Sequence, residues 1–167
     1  MNRDAIRNAF EQFLKAQKLR LTPQRRAIFE RAFDTHKHFT AETLFGWLRD
    51  SPAHVSRATV YRTLSLLVEG GFLESLDTGQ GELRYEHVLG HRHHDHMLCL
   101  ACGRIDEFVD PRIEALQEEA CRERGFSMVS HNLRLFGYCR ACAKRRAHAG
   151  ETRPGTAPGS RMARERT

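Results

Sequence analysis

The chain has 167 residues, 27 of them basic and 21 acidic, with a formal net charge of +6, 10 histidines and 5 cysteines. It is long enough to bury one core or two small ones. No run of eighteen apolar residues exists to cross a bilayer, and the first residues, with Arg3, Asp4 and Arg7 among short apolar positions, lack the apolar stretch of a secretory signal. A soluble, cytoplasmic protein with reduced cysteines is expected.

Charge is unevenly placed: twelve basic against eight acidic residues over 1–75, eight against eleven over 76–142, and seven against two over 143–167. The basic front suits a polyanion and the acidic middle suits cations. The last stretch, with Gly150, Pro154, Gly155, Pro158 and Gly159 among scattered arginines, has little to pack and reads as a disordered basic tail over 147–167.

In chain order, Ile6, Ala9, Phe10, Phe13 and Leu14 recur at helical spacing over 4–18. Thr22-Pro23 predicts an N-cap followed by proline at the first helical position, opening a helix with Ile28, Phe29, Ala32 and Phe33 inward. Thr40 can cap a third helix with Leu44, Phe45 and Leu48 inside. Ser56 can cap a fourth, striped by Val60, Leu64, Leu67 and Val68, with Arg57, Thr59, Tyr61, Arg62 and Ser65 largely off the stripe. Gly70-Gly71 stops it, and two short strands, 72–76 and 83–87, follow around a turn-rich loop. Helices followed by a hairpin are the order of a winged helix-turn-helix, whose last helix enters the major groove of DNA. A polar face alone does not establish that role, since most such faces are only solvated; the hairpin and the basic front strengthen it.

Past Glu86 the pattern changes. Strands are expected near 96–98 and 104–109. Pro111 opens a helix with Ile113, Leu116 and Ala120 on one face, stopped by Gly125, and 127–138 is rich in strand formers. The fold class is α+β: an N-terminal winged helix-turn-helix domain over 1–86 and a small C-terminal α/β dimerisation domain over 87–146, whose exposed strand edge offers a place for a dimer.

The densest chemistry lies in His91-Arg92-His93-His94-Asp95-His96-Met97-Leu98-Cys99-Leu100-Ala101-Cys102. Cys99 and Cys102 form one C-x2-C pair, Cys139 and Cys142 a second, and that spacing reads as a closed four-thiolate zinc site with no open position for catalysis. Two redox dithiols would also use such pairs, but they call for a βαβ pattern the sequence lacks. Cys121 is left over, as a buried or idle thiol. On a strand leading into the first pair, His94 and His96 share one face and His93 and Asp95 the other. Nitrogen and oxygen donors without thiolate suit Fe(II), Mn(II) or Zn(II) in exchangeable sites; the alternative is a solvated histidine run.

Leu21-Thr22-Pro23-Gln24-Arg25, His38-Phe39-Thr40-Ala41-Glu42, Ala58-Thr59-Val60-Tyr61-Arg62-Thr63-Leu64 and His93-His94-Asp95-His96-Met97-Leu98-Cys99, in that order, resemble the ferric uptake regulator family of bacterial metal-responsive repressors. The likeness spans about residues 14–142. It implies a homodimer that binds AT-rich inverted-repeat operators when metal-loaded. By motif, structural Zn(II) falls to Cys99, Cys102, Cys139 and Cys142. The regulatory metal falls to His38, Glu86, His94, His96 and Glu107, with His87 or His91 able to replace Glu86. A further site falls to His93, Asp95, Glu114 and His131. Tyr61 and Arg62, with Arg57 and Thr59 nearby, are the expected base readers, and Lys15, Lys18 or Arg20 can reach a narrow minor groove or a phosphate.

The family includes iron, zinc, manganese, nickel and peroxide sensors. A sensing set without cysteine weighs against a dedicated zinc sensor, and glutamates at 86 and 107 depart from the aspartates of peroxide sensors. Fe(II) is therefore the expected signal, with Mn(II) or Zn(II) as alternatives. His91-x-His93-x-Asp95-His96 also matches the H-x-H-x-D-H pattern of metallo-β-lactamase-type zinc hydrolases. That fold needs more scaffold than the 71 residues that follow here, so no enzyme is expected. A constitutive DNA-binding protein with an incidental histidine store is the other rival.

Overall fold

Polar side chains start most of the helices. In the computed structural model, which describes residues 2–78, 81–87 and 94–150, the Asn2 side chain accepts from the Asp4 N–H and opens α1 (Arg3–Ala16). Thr22 caps α2 (Pro23–Ala32), accepting from the Arg25 N–H at 3.3 Å with Pro23 in the first turn. Thr40 ends the two-residue strand β1 (Phe39–Thr40) and caps α3 (Ala41–Trp47) through the Thr43 N–H at 3.1 Å. Ser56 caps α4 (Arg57–Glu69) through the Thr59 N–H at 3.2 Å. Each hydroxyl satisfies one of the backbone donors a helix start leaves open.

The chain divides into two units, Met1–Asp77 with Gly81–His91, and Arg92–Thr167 with Thr78–Gln80. In the first, β2 (Leu73–Asp77) and β3 (Leu83–His87) form the hairpin, and β1 adds to the free edge of β3 with Phe39 opposite Tyr85. Four helices and this three-stranded antiparallel sheet make the winged helix-turn-helix. Phe10, Leu14, Ile28, Phe29, Leu44, Val60, Leu64 and Leu67 are fully enclosed. The Phe10 ring stacks on Phe29 at 5.7 Å and meets the edge of Phe72 at 5.3 Å, so α1 is sealed onto α2 and the hairpin. Buried Thr63 satisfies its hydroxyl by donating to the Thr59 carbonyl at 2.7 Å.

The second unit is built on β4 (Asp95–Cys99), which pairs antiparallel with β5 (Ile105–Phe108) and parallel with β6 (Arg134–Gly137). Between β5 and β6 runs α5 (Pro111–Glu123), capped by Asp110, and α6 (Arg140–His148) follows β6. Strand formers over 127–138 predict a longer strand than the four residues observed. The reason is the partner: among the described residues β6 pairs only with β4, from His96 opposite Arg134 to Cys99 opposite Gly137, so its ladder ends where β4 ends. The apolar face expected of α5 is also not enclosed: α5 has no buried residue, and Leu116 is 63% exposed. No helix among the described residues is long and apolar enough to cross a membrane.

Phe10→Ala is expected to cost about 3–5 kcal/mol, the range for emptying a closed aromatic site. Trp47, the single tryptophan, lies in the first unit, so urea unfolding followed by its fluorescence checks that loss without a signal from the second.

Candidate metal centres and nucleic-acid face

Parallel pairing of β6 with β4 brings the two cysteine pairs together. Cys99 ends β4, a turn closed by Gly103 at φ 66 carries Cys102, and Cys139 is the N-cap of α6 with Cys142 in its first turn. The four sulfurs lie within 4.8 Å of one another, and Cys102 and Cys139 are 3.9 Å apart. A tetrahedral zinc with Zn–S bonds of about 2.3 Å needs sulfur separations of about 3.8 Å. The donor set therefore fits zinc in both type and spacing, and none of the five cysteines is in a disulfide.

The surroundings favour the thiolate at Cys99 and Cys139 and disfavour it at Cys102. Burial alone pushes the Cys99 thiol up, but backbone N–H groups of Cys139, Ala101 and Cys102, together with the Cys102 thiol, outweigh it and bring Cys99 down to about 6. The Arg104 N–H favours the Cys102 thiolate, yet the adjoining Cys99 sulfur and burial raise Cys102 to about 11. The backbone N–H and thiol of Cys142 lower Cys139. Arg145, one turn beyond Cys142 in α6, donates to its sulfur at 2.9 Å. Spacing locates the cysteines but not this arginine; its signal is the basic residue at i+3 from Cys142 on one helix.

A second donor group lies in the same unit. Asp95 on β4, Glu114 in the first turn of α5 and His131 before β6 place one donor atom each within 4.8 Å of one another. The His131 Nε2 is 3.1 Å from a Glu114 oxygen and 4.0 Å from Asp95. Asp95 is 1% exposed, and a carboxylate so enclosed calls for positive charge or donors around it. His93, the fourth residue expected here, lies outside the described residues, as does His91.

The remaining predicted donors fall in pairs. In the first unit, continuing the β1–β3 register sets His38 opposite Glu86, and His38 Nε2 is 3.2 Å from the Glu86 carboxylate. His87, the neighbour on the other face of β3, has its Nε2 2.9 Å from the Thr35 carbonyl and its ring stacked on Phe33 at 5.2 Å. In the second unit, His96 is opposite Glu107 in the β4–β5 ladder, His94 Nε2 is 3.8 Å from Glu107, and the His94 and His96 rings meet edge-on at 5.0 Å.

On α4, Arg57, Tyr61, Arg62 and Ser65 form an exposed face opposite the core stripe. Thr59 is part of the cap instead, its hydroxyl 2.9 Å from that of Ser56. Lys15 is exposed at the end of α1 and pairs with Glu11 at 3.2 Å. The carboxylate of Glu42 also lies on this face, and sequence patterning did not single it out; its neighbours are set by the packing of α3 on α4.

The profile of the ferric uptake regulator family matches residues 16–136. The chain belongs to the ferric uptake regulator family. It is 34% identical over 146 residues to the ferric uptake regulation protein of Campylobacter jejuni, covering 86% of this chain and 92% of that one. Among solved structures it is similar to the Helicobacter pylori ferric uptake regulator Fur, whose structure reveals three functional metal binding sites, with a TM-score of 0.75 at 29% identity, covering 86% of this chain and 95% of that one. It is also similar to the Pseudomonas aeruginosa ferric uptake regulator with manganese, with a TM-score of 0.66 at 32% identity, covering 76% and 95%. Ferric uptake regulators are metal-responsive transcription regulators, and this member has the winged helix and the thiolate and imidazole–carboxylate groups such a role requires.

Two outcomes follow at the cysteines. A strong chelator under reducing conditions is expected to abolish hydrogen-exchange protection in β4 and β6 while leaving Trp47 fluorescence unchanged. Because its surroundings bring Cys99 down to about 6 from the ordinary thiol value of 9.0, the stability its thiolate contributes is full above about 9 and is lost progressively as pH falls from there through about 6. Zinc uptake at pH 7 should thus release fewer than four protons, because Cys99 is already mostly ionised while Cys102 is not, and the fall of affinity with pH should steepen below about 6, both measurable by calorimetry in buffers of different ionisation enthalpy.

Proposed function

We propose that this protein is an Fe(II)-responsive transcriptional repressor, acting in the cytoplasm as a homodimer on AT-rich inverted-repeat operators, and that it is not an enzyme. Residues 1–86 read DNA, residues 87–146 hold the metals and the dimer contact, and residues 147–167 are an accessory tail. Cys99, Cys102, Cys139 and Cys142 hold structural Zn(II). His38, Glu86, His94, His96 and Glu107 hold the regulatory ion, and Asp95, Glu114 and His131, with His93, hold another. Three donor groups parallel the three functional sites of the Helicobacter pylori relative.

The observation that carries this reading is the division of imidazole–carboxylate pairs between the units, His38 with Glu86 in one and His94 with Glu107 in the other. Donors drawn from both units make ion affinity depend on their arrangement, and only such differential affinity can shift a conformational population. Nitrogen and oxygen donors with no thiolate supply a hard, exchangeable site, suited to Fe(II) and Mn(II). Tyr61 offers an apolar face to a thymine methyl, and Arg62 and Arg57 offer forks for guanine or phosphate. Support for the dimer comes from the apolar surface of the second unit, where Phe126 is 67% exposed and Val129 96% exposed.

The test is anaerobic fluorescence anisotropy of a labelled AT-rich inverted-repeat duplex with protein carrying only its structural zinc, titrated with Fe(II), Mn(II) and Zn(II). Affinity should rise at least tenfold with Fe(II), and His94→Ala and His96→Ala should abolish that gain. Tight binding indifferent to every metal would leave a constitutive DNA-binding protein; a gain only with Zn(II) or Mn(II) would reassign the signal.

A further inference from the structure

The α4 face assigned above to DNA carries a carboxylate at its edge. Glu42, in the first turn of α3, uses one oxygen to accept from the Tyr61 hydroxyl at 3.4 Å and the other to pair with the Arg57 guanidinium at 3.2 Å. The Arg57 guanidinium also lies over the Phe45 ring, 5.2 Å from its centroid. Helix α3 therefore holds two side chains that are one turn apart on the exposed face of α4. A negative group here opposes phosphate and weakens the attraction that a basic surface exerts on any duplex.

We infer that Glu42 is a specificity-determining residue, which orients Arg57 and Tyr61 for base readout and withholds Arg57 from the phosphates of arbitrary sequence. The inference rests on α4 being the DNA-reading helix. Arg57 offers five N–H donors, and one carboxylate oxygen engages only part of that fork. A base edge can be read by the donors left over while the Glu42 pair is kept. A phosphate met at random must instead displace a partner already in place, exchanging one ion pair for another with little gain. The carboxylate thus lowers non-specific binding more than specific binding, which widens the ratio that decides site selection among competing DNA.

The experiment uses the full chain loaded with metal. A duplex enriched by the wild-type protein from a random-sequence pool is the specific probe, and a scrambled duplex of the same composition is the non-specific one; anisotropy is read over a range of salt. Glu42→Gln keeps the size and an acceptor for Tyr61 but removes the charge. It should raise non-specific affinity and steepen its salt slope by about 1 per subunit, the signature of one added phosphate contact. The specific-to-non-specific ratio should fall by up to roughly fivefold, the scale of an exposed ion pair.

Arg57→Gln in the Glu42→Gln background should restore the wild-type slope, and Glu42→Asp, which keeps the charge, should hold it. A Glu42→Gln protein with unchanged ratio and slope would overturn the inference, and so would equal weakening on both duplexes. If the wild-type protein enriches no duplex, the DNA reading fails and this inference with it. Enrichment by the wild-type protein with an inert Glu42→Gln overturns this inference alone.

Discussion

The four-cysteine knuckle is the constraint on which the second unit depends, because the buried apolar side chains among its described residues are Leu98, Cys99 and Cys142, and two of these three are thiolate donors. Burying one leucine is worth about 2–3 kcal/mol. Structural zinc in small domains contributes on the order of 10–16 kcal/mol. The ladder between β4 and β6 and the start of α6 all converge on the cysteines, so a zinc ion held there would close the point where these elements meet. Backbone N–H groups and Arg145 face the sulfurs, which would offset the net negative charge of a tetrathiolate zinc.

The first unit is built on the opposite principle. Its helices and hairpin enclose a continuous apolar cluster from Ile6 to Tyr85, and no donor group is needed to hold it. His38 and Glu86, paired at 3.2 Å, lie outside that apolar cluster. In the second unit, Leu116, Phe126, Val129 and Val109 stay exposed, and burying them against a second copy would supply what the unit's interior lacks.

Local signals were legible where local chemistry decides the outcome. Thr22, Thr40 and Ser56 cap the helices their hydroxyls predict, Pro23 and Pro111 open helices, and Gly70 ends α4. Long-range pairing was not legible. Strand β1 is only two residues and exists because β3 has an edge to offer, and β6 is trimmed to the reach of β4. Helix α6 escaped because its sequence is polar on nearly every side; Cys142 alone is buried, so no apolar period marks it. At the sites, residue type and spacing reveal the cysteines, and motif order reveals the histidines and glutamates. Arg145, against the Cys142 sulfur, is marked only by its i+3 spacing on α6, while the contacts of Glu42 with Tyr61 and Arg57 depend on the packing of α3 on α4, which sequence does not encode locally. Of the tail expected over 147–167, residues 147–150 are described, with His148 ending α6, and the rest lies outside the described residues.

The sensing account requires that donors from both units respond to the same ion, which makes metal and DNA reciprocal ligands. By linkage, whatever factor a bound ion adds to operator affinity must return as an equal gain in ion affinity on the operator, typically 5–150-fold. Mn(II) is a suitable probe, since it suits imidazole and carboxylate donors. The most direct measurement is the electron paramagnetic resonance signal of free Mn(II), titrated into protein carrying only structural zinc, with and without saturating operator duplex. The account predicts tighter Mn(II) binding on the operator, by the same factor that Mn(II) tightens operator binding. Mn(II) affinity that is unchanged by DNA would contradict it.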